Sequence, residues 1–132
     1  MPHLLVIAHA PLASALRQVA EHTFPDCAPR LAVLDVQPGT APEGVEAAAR
    51  SLMAASADSD WLVLADAYGA SPSNGAQLLA GERVQVLTGV SVPMLWRTLC
   101  YADKKSLTDL ARYAVQGAVS GIVATPPLPP DE

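Results

Sequence analysis

Short, continuous apolar runs alternate along this chain with segments whose apolar residues recur at helical spacing. This alternation constrains the fold more than any other feature of the sequence. The runs span residues 4–8, 31–36, 61–65, 84–87 and 119–124. A short run without period is typical of a strand buried on both faces, as in a parallel sheet covered by helices. The sequence therefore predicts an α/β fold in which five strands alternate with covering helices.

Two helix starts are marked by capping residues. Thr40 and Ser106 each carry a hydroxyl and are followed three residues later by a carboxylate, that of Glu43 or Asp109. This spacing is typical of a capping box, in which the hydroxyl accepts a hydrogen bond from a free amide of the first turn. Further helices are expected after the first, third and fourth strands, the last of them over residues 94–101.

The length and composition favour one compact unit. An ordinary core takes about 100 to 150 residues, and the chain has 132, of which 51% are hydrophobic and 16% charged. This composition is too apolar for a disordered chain. We expect a single domain over residues 1–125 and a loose, proline-rich tail over residues 126–132.

Charge and cysteine content exclude several classes of protein. The net charge of −5 argues against nucleic acid as a partner, because binding to phosphates needs a basic surface. No apolar stretch is long enough for direct insertion into a membrane, and no export signal is visible, so we expect a soluble, cytoplasmic protein. Cys27 and Cys100 are too few for a disulfide scaffold, so they are expected to be reduced thiols.

Candidate functional residues follow the strands. In an open parallel sheet, ligands bind beyond the carboxyl ends of the strands, near the point where the strand order reverses. Four polar residues stand at such ends: His9, Asp35, Asp66 and Thr88.

His9 and Asp66 are the strongest pair among them. A carboxylate bound to one imidazole nitrogen fixes the tautomer and leaves the lone pair of the other nitrogen free to attack. Other interpretations stay open: His9 can be satisfied by a backbone carbonyl, and Asp66 can cap a loop. Asp35 is interpreted as a turn residue rather than a catalytic one.

The loop after Asp66 has features of an anion site. Gly69, Ala70 and Ser71 lead into a predicted helix with Pro72 at its first turn. Such a turn offers backbone amides, a hydroxyl and the positive end of the helix dipole to a phosphoryl group. A plain structural cap by Ser71 is the alternative interpretation.

Three motifs follow one another along the chain. The first apolar strand ends in His9, residues 66–74 read Asp-Ala-Tyr-Gly-Ala-Ser-Pro-Ser-Asn, and residues 89–95 read Gly-Val-Ser-Val-Pro-Met-Leu. Together they resemble the mannose-type enzyme IIA domains of the bacterial phosphoenolpyruvate-dependent sugar phosphotransferase system, in which the first strand ends in Thr-His-Gly. The likeness spans nearly the whole chain.

The resemblance implies a fold and an activity. The fold would be a doubly wound, mostly parallel sheet of order 2-1-3-4-5, whose last, antiparallel strand can be exchanged in a homodimer. The activity would be that of a phosphotransferase component with a phosphohistidine intermediate. His9 would accept a phosphoryl group from phospho-HPr and pass it to a IIB component in sugar uptake, with Asp66 orienting the histidine and Ser71 beside the phosphoryl group. Neither a metal ion nor a cofactor is implied.

Three residues depart from the family pattern. Ala10 and Ala70 stand in place of glycines, and Ser91 stands in place of an asparagine. Because alanine adopts positive φ angles less readily than glycine, we expect a change in loop shape or in the approach of a partner.

Other classes of protein share parts of this pattern. In a regulatory protein, the phosphorylation state of His9 would control binding to a kinase or transcription factor. The phosphoryl carrier subunit of dihydroxyacetone kinase has a similar fold, but the motifs at residues 66–74 and 89–95 favour the mannose type. A response-regulator receiver would need acidic metal ligands where His9 stands, and a flavodoxin would need a hydroxyl-rich loop there.

Overall fold

A computed structural model describes residues 2–131 and contains a four-stranded parallel sheet of order β2-β1-β3-β4. The elements are β1 (His3–His9), α1 (Leu12–Thr23), β2 (Leu31–Val36), α2 (Pro42–Met53), β3 (Trp61–Ala65), α3 (Ser71–Gln77), β4 (Val84–Leu87), α4 (Val92–Thr98) and α5 (Leu107–Ser120). The strand order reverses between β1 and β3, which pair directly.

Helices cover both faces of the sheet, as the sequence predicts for a doubly wound fold. Alternate residues of β1 enter opposite layers because side chains alternate along a strand. Leu4 and Val6 belong to a core layer that includes residues of α1, α4 and α5. Leu5 and Ile7 belong to the other layer, with residues of α2 and α3. The central strands β1 and β3 are therefore apolar on both sides.

The predicted fifth strand over residues 119–124 is wrong for this chain. Helix α5 continues through Ser120. Its glycines allow close packing: a Cβ on Gly117 would lie 2.5 Å from the Cβ of Arg97, and one on Gly121 would lie 2.6 Å from that of Pro93. Packing of α5 against α4 therefore extends the helix into a segment whose composition favours a strand.

The caps are only partly as predicted. The Ser106 side chain accepts a hydrogen bond from the Asp109 amide at 3.2 Å, which confirms this start of α5. The prediction for Thr40 is wrong, because its hydroxyl donates to the Gln37 carbonyl and α2 begins one residue later, after Ala41. The Thr40 hydroxyl is engaged in this local turn and therefore does not cap the helix.

The expectation of reduced thiols is also wrong in this structure, where Cys27 and Cys100 form a disulfide. Cys27 follows α1 and Cys100 follows α4, and their Cα atoms lie 5.5 Å apart. The bond joins residues 73 positions apart. The packing of α1 beside α4 brings them together, and no local spacing in the sequence indicates it.

Within the described residues 2–131, no helix has both the length and the apolar character needed to cross a bilayer.

Candidate functional site

The site lies at the carboxyl ends of β1 and β3, where the strand order reverses. His9 is the last residue of β1, and Asp66 follows β3 immediately. The two strands pair in register, with Ile7 opposite Ala65. This pairing brings two residues 57 positions apart into contact.

The Asp66 carboxylate holds both the backbone and the ring of His9. Oδ2 of Asp66 accepts the His9 amide at 2.9 Å and lies 2.7 Å from Nδ1 of the imidazole. Oδ1 accepts the Ala67 amide at 2.8 Å. An ionised carboxylate can only accept, so Nδ1 carries the proton and Nε2 keeps its lone pair. The His9 side chain is 56% exposed, whereas that of Asp66 is 13% exposed.

These contacts set the charge of Asp66. Partial burial raises the pKa of its carboxyl group, but hydrogen bonds from the His9 amide, the His9 ring and the Ala67 amide outweigh burial and lower the pKa below the ordinary value of 3.8. Asp66 is therefore ionised at neutral pH. A fixed negative charge beside the imidazole stabilises any positive charge that the ring acquires.

The loop after Asp66 is ordered by its own contacts. Gly69 has a φ of +89°, which glycine adopts at little cost. The side-chain amide of Asn74 donates to the Gly69 carbonyl at 3.2 Å, and the Ala70 amide donates to the Ala67 carbonyl. The Ala70 amide is therefore already engaged, unlike the free amide that the sequence interpretation assumed.

Ser71 has a different place from that of a plain cap. Ala70 is the N-cap of α3 and Ser71 is the first helical residue. The Ser71 side chain is exposed and makes no hydrogen bond to another residue within 2–131. Its hydroxyl therefore stays available at the start of the helix.

The departures from the family pattern cause no backbone conflict. In the part of the chain that is described, positive φ angles occur only at Gly39, Gly69 and Gly89. Ala70 has a φ of −87°, and Ala10 is likewise outside the positive region. Neither alanine therefore needs a positive φ angle, and the expected change in loop shape or in the approach of a partner is not imposed by the backbone angles at these positions.

Ser91 and Gly89 link the third motif to the site. The Ser91 hydroxyl accepts the Met94 amide at 3.3 Å and caps α4, a role that the sequence interpretation missed although the residue type allows it. The Gly89 amide donates to the backbone carbonyl of Asp66 at 2.7 Å. This loop therefore supports the backbone that presents the Asp66 carboxylate.

The other two strand-end residues do not join the pair. Asp35 accepts hydrogen bonds from the Ser14 amide at 3.1 Å and from the Ser14 hydroxyl. The hydrogen bonds found over residues 2–131 include none that links Thr88 to His9 or Asp66. Over the same range, no group of three or more His, Cys, Asp or Glu side chains is arranged to hold a metal ion.

Comparison with solved structures supports the fold. The chain is similar to the phosphotransferase system component EIIA from Streptococcus agalactiae, with a TM-score of 0.81, 20% identity and coverage of 96% of this chain and 98% of that one. It is also similar to the PTS IIA protein associated with the fucose utilization operon of Streptococcus pneumoniae, with a TM-score of 0.78, 24% identity and coverage of 95% and 93%. A sigma-54 interaction domain protein from Enterococcus faecalis matches with a TM-score of 0.74, 15% identity and coverage of 89% and 90%.

No curated protein sequence matches the chain significantly. The family model EIIA-man, described as the PTS system fructose IIA component, matches residues 3–115, which include both His9 and Asp66. The match covers most of the chain and agrees with the doubly wound fold and the strand-end site. The protein therefore belongs to the EIIA-man family of phosphotransferase-system IIA components.

Proposed function

We propose that His9 accepts a phosphoryl group from phospho-HPr and passes it to a IIB component in sugar uptake. Membership of the EIIA-man family gives the general role of a phosphotransfer component. The observation that supports His9 is the contact between Asp66 Oδ2 and His9 Nδ1, which leaves Nε2 free on a half-exposed ring.

The chemistry follows from this geometry. Nε2 of His9 attacks the phosphorus in line, the new P–N bond forms, and the P–N bond to the donor histidine breaks. The ring becomes positively charged, and the Asp66 carboxylate on Nδ1 stabilises that charge. Catalysis of this kind depends on positioning and electrostatics. In this proposal, the Ser71 hydroxyl and the loop at Gly69 and Ala70 bind the phosphoryl group.

The exposure of the site suits a protein donor. Tyr68, in the loop after Asp66, is 81% exposed, and Leu12, at the start of α1, is 38% exposed. Exposed apolar and aromatic side chains of this kind are common anchors at interfaces between proteins. The HPr docking surface in this proposal therefore includes the loop at Tyr68 and the start of α1 at Leu12.

The first experiment is intact mass spectrometry of the chain after incubation with phosphoenolpyruvate, enzyme I and HPr. The expected result is one acid-labile phosphoryl group in the native chain and none in a folded His9→Ala variant. His22→Ala is the matched control, because His22 is an exposed histidine in the last turn of α1. Retention of the phosphoryl group in His9→Ala would remove His9 from the reaction.

A regulatory role is the second candidate function. The likeness to the sigma-54 interaction domain protein of E. faecalis favours it. In this case the phosphoryl group on His9 controls binding to a kinase or transcription factor. Transfer from the phosphorylated chain to purified IIB proteins supports transport. Stable phosphorylation together with binding that depends on it supports regulation.

We also propose that the chain forms a homodimer through its C-terminal segment. Val119, Ile122 and Val123 are 65%, 82% and 78% exposed. Beside the free edge of β4 lies a largely apolar groove of about 400 Å³. It is lined by Gln85, Leu87, Thr108, Ala111, Arg112, Val115 and Gln116. The segment of one copy covers the groove of another, which hides both apolar surfaces from water.

The dimer is tested by sedimentation velocity. The native chain is expected to sediment as a dimer, and Ile122→Asp with Val123→Asp as a monomer, because two carboxylates oppose burial in an apolar groove. The control is Leu128→Asp, because Leu128 is 79% exposed but lies in the tail. This variant should remain a dimer. A monomeric native chain would refute the proposal.

We propose a cytoplasmic location, where the phosphoryl donors of such a system act. Thiols are kept reduced in that compartment, whereas this structure holds Cys27 and Cys100 as a disulfide, so the redox state of the pair in cells tests the location. Trapping of free thiols in rapidly acidified cells measures this directly. A fully oxidised pair in growing cells would contradict the proposed location.

A further inference from the structure

Helix α1 begins without a cap of its own, although it starts next to the reacting histidine. Its N-cap is Pro11, which has no side-chain hydrogen-bonding group, and no side-chain cap is formed there. The first amides of a helix have no partner within the helix and need an acceptor from elsewhere. At the start of α1, the acceptor comes from strand β2.

Asp35 on β2 supplies this acceptor. Its Oδ1 accepts the Ser14 amide at 3.1 Å, and its Oδ2 accepts the Ser14 hydroxyl. Ser14 is the third residue of α1, the position whose amide a local cap would ordinarily satisfy. Asp35 is also the only charged residue in the otherwise apolar strand β2.

Two further hydrogen bonds hold the backbone at His9 and Ala10. The Ala10 amide donates to the carbonyl of Val36 at 3.0 Å, next to Asp35 on β2. The His9 amide donates to Asp66 on the opposite side, beyond β3. The segment from His9 to Ser14 is thus tied to β2 at two points and to the loop after β3 at one.

We propose that Asp35 is a positioning residue for His9, acting through the start of α1. It fixes the turn that follows the histidine, so that the ring stays aligned with Asp66 and Nε2 faces the donor. Asp35 itself does not touch the phosphoryl group. A local cap at position 11 would satisfy the helix equally well but would not tie it to β2. The proposal rests on the phosphoryl transfer to His9 described above.

Three variants separate positioning from general stability. Asp35→Ala removes both contacts to Ser14. Asp35→Asn keeps an acceptor for the Ser14 amide and offers a donor to its hydroxyl. Ser106→Ala is the matched control, because it removes the side-chain cap of another helix, α5. Helix α5 does not follow a strand end that carries a site residue.

The initial rate of His9 phosphorylation is the first readout, with each variant shown to be folded by circular dichroism. Asp35→Ala is expected to be slower than the native chain by on the order of tenfold to a hundredfold, since small misplacements of a reacting group cost this much. Asp35→Asn should recover most of the rate, and Ser106→Ala should leave it unchanged. Equal loss of rate in Asp35→Ala and Ser106→Ala would overturn the proposal.

The second readout needs no phosphoryl donor. Nitrogen-15 NMR of the unphosphorylated chain reports which ring nitrogen of His9 carries the proton. The native chain and Asp35→Asn should show the proton on Nδ1, and Asp35→Ala should show a mixture of tautomers. An unchanged spectrum in Asp35→Ala would overturn the positioning role. If the native chain accepts no phosphoryl group, the proposed function fails, and the ring spectrum still decides the role of Asp35.

Discussion

At the scale of single residues, the Asp66 carboxylate combines structural and chemical roles. Oδ2 accepts hydrogen bonds from the backbone amide and the ring Nδ1 of His9, and Oδ1 accepts a hydrogen bond from the Ala67 amide. The carboxylate therefore closes its own loop and orients the histidine at once. Its low exposure strengthens both effects, because partly buried charges are less screened by water and salt.

The first prediction at this scale concerns the rate of transfer. Asp66→Ala is expected to slow phosphorylation of His9 by on the order of 10- to 100-fold, because the ring loses the acceptor that fixes its tautomer and orientation. The measurement is a rapid-quench time course with phospho-HPr, and circular dichroism checks the fold. A rate equal to that of the native chain would remove Asp66 from the mechanism.

The second prediction concerns acid stability. Folding lowers the pKa of Asp66, so the ionised group stabilises the fold above its unfolded value of about 3.8. This contribution is lost as the pH falls through the lower pKa of the folded state. Native chain and Asp66→Asn should therefore differ most in unfolding free energy near neutral pH and become closer below about pH 4. Urea unfolding over a pH series measures this, and a difference that does not change with pH would contradict it.

At the scale of elements, α2 packs closely against α3, the helix that follows the loop after Asp66. Gly75 of α3 lies against α2, where an added Cβ would overlap Val45 and lie 2.8 Å from the Pro42 carbonyl. The Pro42 carbonyl belongs to the backbone and the Val45 side chain is β-branched, so neither group can move aside easily. Glycine at this position is therefore required by helix contact and not by a turn.

Gly75→Ala is expected to destabilise the protein by about 1–3 kcal/mol, because overpacking forces the two helices apart. Gly81→Ala is the control, since a Cβ at Gly81 meets no atom within 4 Å. Thermal unfolding of both variants gives the comparison. If Gly75→Ala were as stable as Gly81→Ala, the close packing of α2 and α3 would be refuted.

At the scale of the whole molecule, the disulfide joins the far ends of two helices that begin beside the site. Helix α1 starts three residues after His9, and α4 starts three residues after Gly89, whose amide supports Asp66. Cys27 and Cys100 follow the other ends of these helices. Because the two cysteines are 73 positions apart, the disulfide closes a long loop in the unfolded chain.

Oxidised and reduced chains should differ in stability. Closing a loop of 73 residues lowers the entropy of the unfolded chain and contributes about 4 kcal/mol at 25 °C. Urea unfolding with and without a reductant measures the difference, and the double variant Cys27→Ser with Cys100→Ser should not respond to the reductant. Equal stability of the oxidised and reduced native chain would contradict the expectation.

Much of the fold follows from short stretches of sequence. The bounds of β2, β3 and β4 agree with the apolar runs at residues 31–36, 61–65 and 84–87. The Ser106 cap and the strand-end positions of His9 and Asp66 also follow from local pattern. These features depend on near neighbours: buried strands must be apolar on both faces, and polar residues at their ends must leave the core.

The remaining features depend on contacts between distant segments. The continuation of α5 through Ser120 is decided by glycines packed on α4, and the Cys27–Cys100 bond by α1 lying beside α4. The hydrogen bonds between Asp35 and Ser14 could not be predicted for the same reason. Pro11 has no side-chain acceptor, which indicates only that the start of α1 needs an acceptor from elsewhere. The sequence alone thus determined the bounds of β2, β3 and β4 and the strand-end positions of His9 and Asp66. Only the tertiary structure decided which distant groups meet, because such pairing depends on how the helices pack on the sheet.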